Sequence, residues 1–181
     1  MLDKKELNLI SHYAGIVKEV FGFDMCLIGG WAVQYYANPP ATLDFDFLCD
    51  AKLFDLAQDR FEFSRVYPIL KFDYGFDVKR TEEPELVQLG FPVLWLKKDN
   101  IRVDLFGADT AFRKSVLANA ENIPGSDTRV ATVLDMLSFK TISNRVKDRR
   151  HFNILKKQYQ LTRAQLTEIS DNANKEMMER G

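Results

Sequence analysis

The stretch that decides the fold is LIGGWAVQYYANPPATLDFDF, which runs from Leu27 to Phe47. It combines a short apolar strand, a Gly-Gly turn, an amphipathic helix and a second strand that carries Asp44 and Asp46. Side chains alternate along a strand, so these two carboxylates point to the same face, roughly 6.6 Å apart along the chain. Two carboxylates placed in this way repel each other unless a cation lies between them, and their hard oxygens suit Mg²⁺.

The glycine pair, Gly29 and Gly30, lies just upstream of this strand. We expect it to open a helix whose N-terminal amides can bind phosphate. Each motif alone has a plainer interpretation, because a Gly-Gly pair is usually a turn and an Asp-x-Asp strand is often a solvated face. Their order and spacing carry the argument, since a metal site beside a phosphate site indicates nucleotide chemistry.

A third carboxylate, Asp104, lies in IRVDLF, where apolar residues alternate with Arg102, Asp104 and Phe106. An aspartate inside an otherwise apolar strand needs a reason, because a buried unpaired charge is costly. If this strand pairs beside the one that carries Asp44 and Asp46, the three carboxylates form one cluster. Three convergent carboxylates can hold two divalent ions, the arrangement used for in-line phosphoryl displacement.

Apolar spacing and turn residues predict the remaining elements. Helices are expected over residues 4–20, 31–37, 52–61, 110–120, 133–144, 149–159 and 163–179. Strands are expected over residues 25–28, 43–49, 66–72, 76–80, 86–89, 93–97 and 101–106, with a tight turn at 98–100. The class is therefore α+β. We expect a single domain over residues 1–181, with a core at about 1–109 and a helical segment at about 110–181.

Composition limits the classes of function. The 181 residues carry 25 Lys+Arg against 26 Asp+Glu, a net charge of −1. This balance argues against binding to nucleic acid by bulk charge and leaves a local basic patch open. The sequence has no apolar run typical of a signal peptide or a membrane span, so we expect a cytoplasmic protein with no membrane partner. Cys26 and Cys49 lie among apolar residues and are interpreted as reduced core residues.

On these residues the chain resembles the DNA polymerase β-type nucleotidyltransferase superfamily, whose signature is a Gly-Gly or Gly-Ser turn, an Asp-x-Asp strand and a third strand Asp. LIGGWAVQYY…ATLDFDFL is most similar to the AbiEii-like and minimal nucleotidyltransferases of bacterial toxin–antitoxin systems. GGWA is also shared with small nucleotidyltransferases that modify aminoglycosides. The tail TRVATVLDMLSFKTISNRVKDRRHFNIL is similar to the closing motif of the first group. The resemblance implies a polymerase β-like fold, a mixed sheet flanked by helices.

Carried over by position, the resemblance makes Asp44, Asp46 and Asp104 the ligands of two Mg²⁺ ions, with Mn²⁺ as a substitute. Asp104 would also be the base for the attacking hydroxyl. Gly29 and Gly30 would let the backbone approach the triphosphate of a nucleoside triphosphate. Lys140 matches a family lysine that contacts nucleotide phosphate, although it could equally be an exposed helical lysine.

Other positions in the tail have two interpretations. Arg145 and Asp148 match the closing motif, and we favour a structural ion pair for them. The cluster at 147–150 could contact RNA phosphates, but a solvated helix start is the commoner explanation. Two positions depart from the family pattern: Pro40 replaces a frequent Arg, and His151 replaces an Asp. His151 could titrate near neutrality or simply decorate a helix.

The activity that the resemblance implies is transfer of a nucleoside monophosphate from a nucleoside triphosphate to an acceptor hydroxyl. An RNA acceptor would fit a toxin-like enzyme. A small molecule would fit an antibiotic-modifying enzyme, and a non-catalytic module that binds a protein partner is the third alternative. A short chain leaves little room for a second substrate domain, so a homodimer or an antitoxin-like partner could complete the cleft.

Overall fold

The computed structural model describes residues 2–37, 42, 44–53, 60–80 and 93–180. Pro40, the predicted strand at 86–89 and most of the predicted helix at 52–61 lie outside the described residues. Among the described residues the helices are α1 (Lys4–Phe21), α2 (Gly29–Tyr36), α3 (Arg60–Pro68), α4 (Ala111–Asn119), α5 (Val133–Ser143), α6 (Val146–Tyr159) and α7 (Arg163–Arg180). The strands are β1 (Met25–Ile28), β2 (Asp44–Asp50), β3 (Asp77–Arg80), β4 (Val93–Lys98), β5 (Ile101–Ala108), β6 (Glu121–Asn122) and β7 (Arg129–Val130).

The described strands form one mixed sheet in the order β3-β4-β5-β2-β1-β7-β6. β2 runs parallel to β5 and antiparallel to β1, and β1 runs parallel to β7. β4 and β5 form the predicted antiparallel hairpin, with Asp99 at a φ of 53° in its turn. The α+β class with a mixed sheet flanked by helices is confirmed.

The two faces of the central strands differ sharply in polarity. Phe45 and Phe47 of β2, and Val103 and Leu105 of β5, are at most 1% exposed and point into the core. Helix α1 and Trp31 cover this face: the rings of Tyr13 and Trp31 lie 5.1 and 5.0 Å from that of Phe45. The opposite face of the same strands carries the aspartates, because strand side chains alternate.

Helix α1 shows how local sequence fixes an element. Asp3 accepts a hydrogen bond from the Glu6 amide while the Glu6 side chain accepts one from the Asp3 amide, a capping box. Gly22 ends the helix in the left-handed conformation that glycine tolerates best, with its amide bonded to the Lys18 carbonyl. The predicted helix over 4–20 is therefore confirmed.

The strand predicted over 66–72 is wrong. These residues continue helix α3 and then form a π-helix over Ile69–Asp73. Phe63, Val66 and Leu70 share helical spacing, and all three pack against the core. Phe72 is 76% exposed instead of alternating inward. The β-branched and aromatic residues of this segment predicted a strand, but its buried positions are spaced as in a helix.

Other differences are small. Helix α2 begins at Gly29, so the glycines form its first residues, and α6 begins three residues before the predicted 149. The two-residue strand β6 was not predicted. Cys26 and Cys49 are buried and free, as expected. Over the described ranges, every helix is too short or too polar to cross a membrane.

Helix α7 is attached to the sheet by a buried ionic cluster that we call the staple: Asp109, Arg113, Glu176 and Arg180. Arg113 Nε lies 2.8 Å from Glu176 Oε1, and both side chains are fully buried. Arg180 completes the cluster at 2.7 Å from Glu176 and 2.6 Å from Asp109. The Thr110 hydroxyl also donates to Glu176. The staple joins the start of α4 to the end of α7.

Candidate active site

The pairing of β2 with β5 brings the three predicted carboxylates onto one face of the sheet. Asp46 lies directly opposite Asp104, and Asp44 lies opposite Arg102. Because side chains two residues apart share a face, Asp44, Asp46 and Asp104 all line the same surface. The strand pairing predicted from the sequence is therefore confirmed. We call these three aspartates and Arg102 the floor.

The glycine pair lies against Asp46. The Gly30 amide donates to Asp46 Oδ2 at 3.4 Å. A Cβ at Gly29 would be 1.8 Å from that same oxygen, and Gly29 has a φ of +68°. A Cβ at Gly30 would be 2.7 Å from a methyl carbon of Thr42. Glycine at position 29 therefore lets the start of α2 approach the carboxylate closely, and glycine at position 30 leaves room for Thr42.

Arg102 is the floor residue that the sequence analysis did not assign. Its Nη2 lies 3.2 Å from Asp44 Oδ2, and its Nε lies 2.9 Å from Asp104 Oδ1. Its guanidinium also lies over the Trp95 ring, 5.1 Å from the ring centre. One positive charge thus bridges two of the three carboxylates. The alternation in IRVDLF placed Arg102 on the Asp104 face, which was the available signal.

The donor set of the floor suits a hard divalent ion, because three carboxylates share one face of neighbouring strands. In the conformation described, however, no three His, Cys, Asp or Glu side chains of the described residues converge closely enough to hold an ion. Arg102 contacts two of these carboxylates, Asp44 and Asp104. By donor type the three aspartates fit a divalent ion.

Electrostatics single out Asp46 on the floor. Burial raises the pKa of Asp46, and the neighbouring Asp44 charge raises it further. Lys140 and Lys147 lower the same pKa, as does the Gly30 amide bond, without reversing the rise. Asp46 makes no ion pair within the described residues, so its carboxylate is the floor group that gains most from an added cation.

The floor opens into a cleft of about 550 Å³. The first residues of α2 line one side, with Gly29 and Gly30. Helices α5 and α6 form another side, which we call the wall; it presents Lys140, Arg145, Lys147, Arg150 and His151. The cleft thus combines an acidic floor with a basic wall.

Lys140 lies in the wall and is 7% exposed, so the exposed-lysine interpretation is wrong. Its Nζ lies 2.9 Å from Asp148 Oδ1, and Arg145 Nε lies 2.7 Å from Asp148 Oδ2. Burial alone would raise the pKa of Asp148. The Lys140 charge and the bonds from Arg145 and Lys140 outweigh burial and lower this pKa to about 2. The ion pair predicted for Arg145 and Asp148 is confirmed, and it includes Lys140.

His151 lines the cleft and is partly buried. Burial, followed by the charge of Lys140, lowers its pKa to about 4, and Asp148 opposes the shift. The imidazole is therefore neutral at physiological pH, and the titration near neutrality considered from the sequence is wrong. A neutral imidazole can still donate or accept a hydrogen bond in the cleft.

Solved structures share this arrangement of strands and helices. ANT(2")-Ia in complex with adenylyl-2"-tobramycin superposes with a TM-score of 0.56 at 12% identity, covering 98% of this chain and 100% of that chain. A solution structure of the antibiotic-resistance factor ANT(2'')-Ia gives 0.56 at 13% identity, covering 96% and 91%. The chain has the nucleotidyltransferase fold. An antigenic nucleotidyltransferase-like protein from Paracoccidioides brasiliensis gives 0.51 at 14% identity, covering 96% and 90%.

Comparisons of the sequence itself find no relative of this chain. No protein-family model matches the chain, and no curated protein matches it. At identities of 12–14% the solved structures show the fold alone. The fold is the one that the resemblance in the sequence predicts. The toxin–antitoxin subgroup stays a prediction.

Proposed function

We propose that this chain is a metal-dependent nucleotidyltransferase that moves a nucleoside monophosphate from a nucleoside triphosphate to an acceptor hydroxyl. The observation that carries the proposal is the register of β2 and β5. It sets Asp46 opposite Asp104, directly against the glycine pair. A structural neighbour supports it, because the adenylyl-2"-tobramycin in the ANT(2")-Ia complex is an acceptor already joined to AMP.

Asp44, Asp46 and Asp104 would hold Mg²⁺, two ions in the full arrangement, or Mn²⁺ in its place. The bound metal would neutralise phosphate charge and acidify the acceptor hydroxyl. Asp104 would accept the proton of that hydroxyl. It is 1% exposed, and a carboxylate shielded from water is well placed to act on a single bound group.

The chain's other groups would position the triphosphate. Gly29 and Gly30 line the cleft at the start of α2, where helix amides would contact phosphate oxygens. Lys140 lines the cleft, and its charge acts on Asp46, so it would contact a phosphate while keeping its bond to Asp148. The need for a nucleoside triphosphate supports a cytoplasmic location. The tail motif supports a toxin-like enzyme, with a second copy or an antitoxin-like protein as its partner.

The test incubates the full chain with each labelled nucleoside triphosphate and Mg²⁺ or Mn²⁺. Total RNA is offered as acceptor in one arm and aminoglycosides in the other. We expect label to appear in one acceptor, and Asp104→Asn to lower the rate about 10³-fold because the base and a metal ligand are both lost.

The matched control is Asp50→Asn, which changes an aspartate of the neighbouring strand β2 outside the cleft and should leave the rate unchanged. Label in neither acceptor, combined with no change of melting temperature on adding metal and nucleotide, would favour the non-catalytic module. A melting shift that Asp44→Asn abolishes would count against that alternative.

A further inference from the structure

The wall carries two cations that none of the described residues neutralises. Lys140 and Arg145 are paired with the buried Asp148. Lys147 and Arg150 are exposed and make no ion pair within the described part of the chain. A positive charge left unpaired on the lining of a cleft is available to a ligand of opposite charge.

Lys147 and Arg150 face the cleft together. They are three residues apart on α6, which places them on the same side of the helix. Both line the cleft, and both lower the pKa of His151, which lines the same cleft. Lys147 also acts on Asp46. The two charges therefore line the same cleft as the floor, and that of Lys147 acts on it.

The positive charge of the wall favours one of the two classes of acceptor, small molecules or nucleic acids. Among the described residues that line the cleft, the only carboxylates are the three on the floor, and these would be occupied by metal. An aminoglycoside carries several ammonium groups and would meet like charges along the wall, which is unfavourable. A strand of nucleic acid carries a phosphate on each nucleotide, and these match the wall in charge.

We propose that the acceptor is the hydroxyl end of a nucleic-acid strand, whose terminal phosphodiesters lie on Lys147 and Arg150. This inference rests on the proposed function and names its acceptor class. It also agrees with the net charge of −1, because recognition by two local cations needs no overall positive charge. The footprint is accordingly short, about two phosphates.

The test measures binding rather than transfer. A 12-nucleotide single-stranded RNA with a free 3′ hydroxyl, and a DNA of the same sequence, carry a 5′ fluorophore and are titrated with the full chain in Mg²⁺ at 50 and 200 mM salt. Two phosphate contacts on a single strand contribute about −1.4 to the slope of log affinity against log salt. We expect Lys147→Gln/Arg150→Gln to lose this contribution to the slope. Between 50 and 200 mM salt, the affinity of the wild type should therefore fall about sevenfold more than that of the double variant.

The matched control is Lys156→Gln/Lys157→Gln, which removes the same charge from the exposed last turn of α6. We expect it to bind like the wild type. Equal losses in both double variants would overturn the proposal, since they would reveal a non-specific charge effect. So would an undetectable affinity of the wild type for both strands, or binding of tobramycin in competition with them.

A further arm separates strand binding from nucleotide binding. The melting shift on adding ATP and Mg²⁺ should persist in Lys147→Gln/Arg150→Gln. If that shift is lost while strand affinity is kept, the two cations serve the triphosphate and the proposal fails. If the affinities for RNA and DNA differ, the strand that binds more tightly is the natural class. Binding of either strand supports the proposal. Wall-dependent strand binding without any transfer would contradict the proposed function alone, whereas transfer to a small molecule with no strand binding would contradict this inference alone.

Discussion

The floor and the staple are both clusters of arginines and carboxylates, and they differ in balance. The staple sets Arg113 and Arg180 against Glu176 and Asp109, with its central pair fully buried. The floor sets three carboxylates against the bridging Arg102 and leaves Asp46 without an ion pair in the described residues. A balanced cluster holds elements together, because each buried charge is matched. A cluster with excess negative charge is instead suited to an added cation.

The staple should show the largest effect on folding. Glu176→Gln leaves Arg113 and Arg180 with too little negative charge in a buried site, and we expect a loss of about 3 kcal/mol in the free energy of unfolding. Urea denaturation measures it. Glu168→Gln, which changes an exposed position of the same helix, should cost little. Asp104→Asn on the floor should change stability by less than about 1 kcal/mol; a loss as large as that of Glu176→Gln would remove the distinction between the two clusters.

The Asp148 cluster in the wall offers a pH test of the same idea. The pKa of Asp148 is about 2 in the folded chain and about 3.9 when unfolded. A lowered pKa stabilises the folded state above the unfolded value and ceases to do so as pH falls through the folded value. We therefore expect Asp148→Asn to cost about 2.5 kcal/mol at pH 7 and about half as much at pH 3.

Urea denaturation at both pH values checks this expectation. Asp171→Asn, at an exposed carboxylate of α7, should cost little at either pH. A cost for Asp148→Asn that does not change between pH 7 and pH 3 would mean that packing, and not charge, maintains the contact between α5 and α6.

A substitution in the glycine pair tests whether metal binding at the floor depends on the backbone of α2. Gly29→Ala combines a positive φ with a contact of 1.8 Å to Asp46, so we expect it to cost about 2 kcal/mol and to weaken Mn²⁺ binding. Gly15→Ala in α1 meets no atom within 4 Å and should stabilise the protein by about 0.5–1 kcal/mol. Thermal melting and Mn²⁺ titration report the two effects. Unchanged Mn²⁺ binding in Gly29→Ala would separate the glycines from the floor.

The Arg102 bridge should show the smallest effect. If the arginine competes with a divalent ion for Asp44 and Asp104, Arg102→Gln removes a partly exposed ion pair worth about 1 kcal/mol and should tighten Mn²⁺ binding about fivefold. Electron paramagnetic resonance of free Mn²⁺ measures this directly, without nucleotide. Arg129→Gln, which breaks the pair with Asp24 away from the floor, is the matched control. Weaker binding in Arg102→Gln would show that the arginine supports the metal site.

Sequence reasoning predicted the carboxylate cluster because each part has a local signal. Alternation put Asp44 and Asp46 on one face, and the apolar neighbours of Asp104 made a buried strand the best interpretation. The side-chain bridge through Arg102 depends on the register between two strands far apart in sequence, which no local pattern encodes. The staple is harder still, since Arg113 and Glu176 meet only after α7 has packed against α4. The segment at 66–72 differs from these, because the helical spacing of Phe63, Val66 and Leu70 is a local signal.

The position of β3 and β4 in the sheet has a consequence for how this chain can change. β2 and β5 are direct neighbours, and β3 and β4, which lie between them in the sequence, occupy the rim of the sheet beyond β5. The exposed turn at Gly75, beside β3, lies on that rim. Lengthening a rim turn costs only a slowly growing loop entropy. Segments can therefore be grafted there, by evolution or in the laboratory, without altering the spacing of the chemistry at the centre.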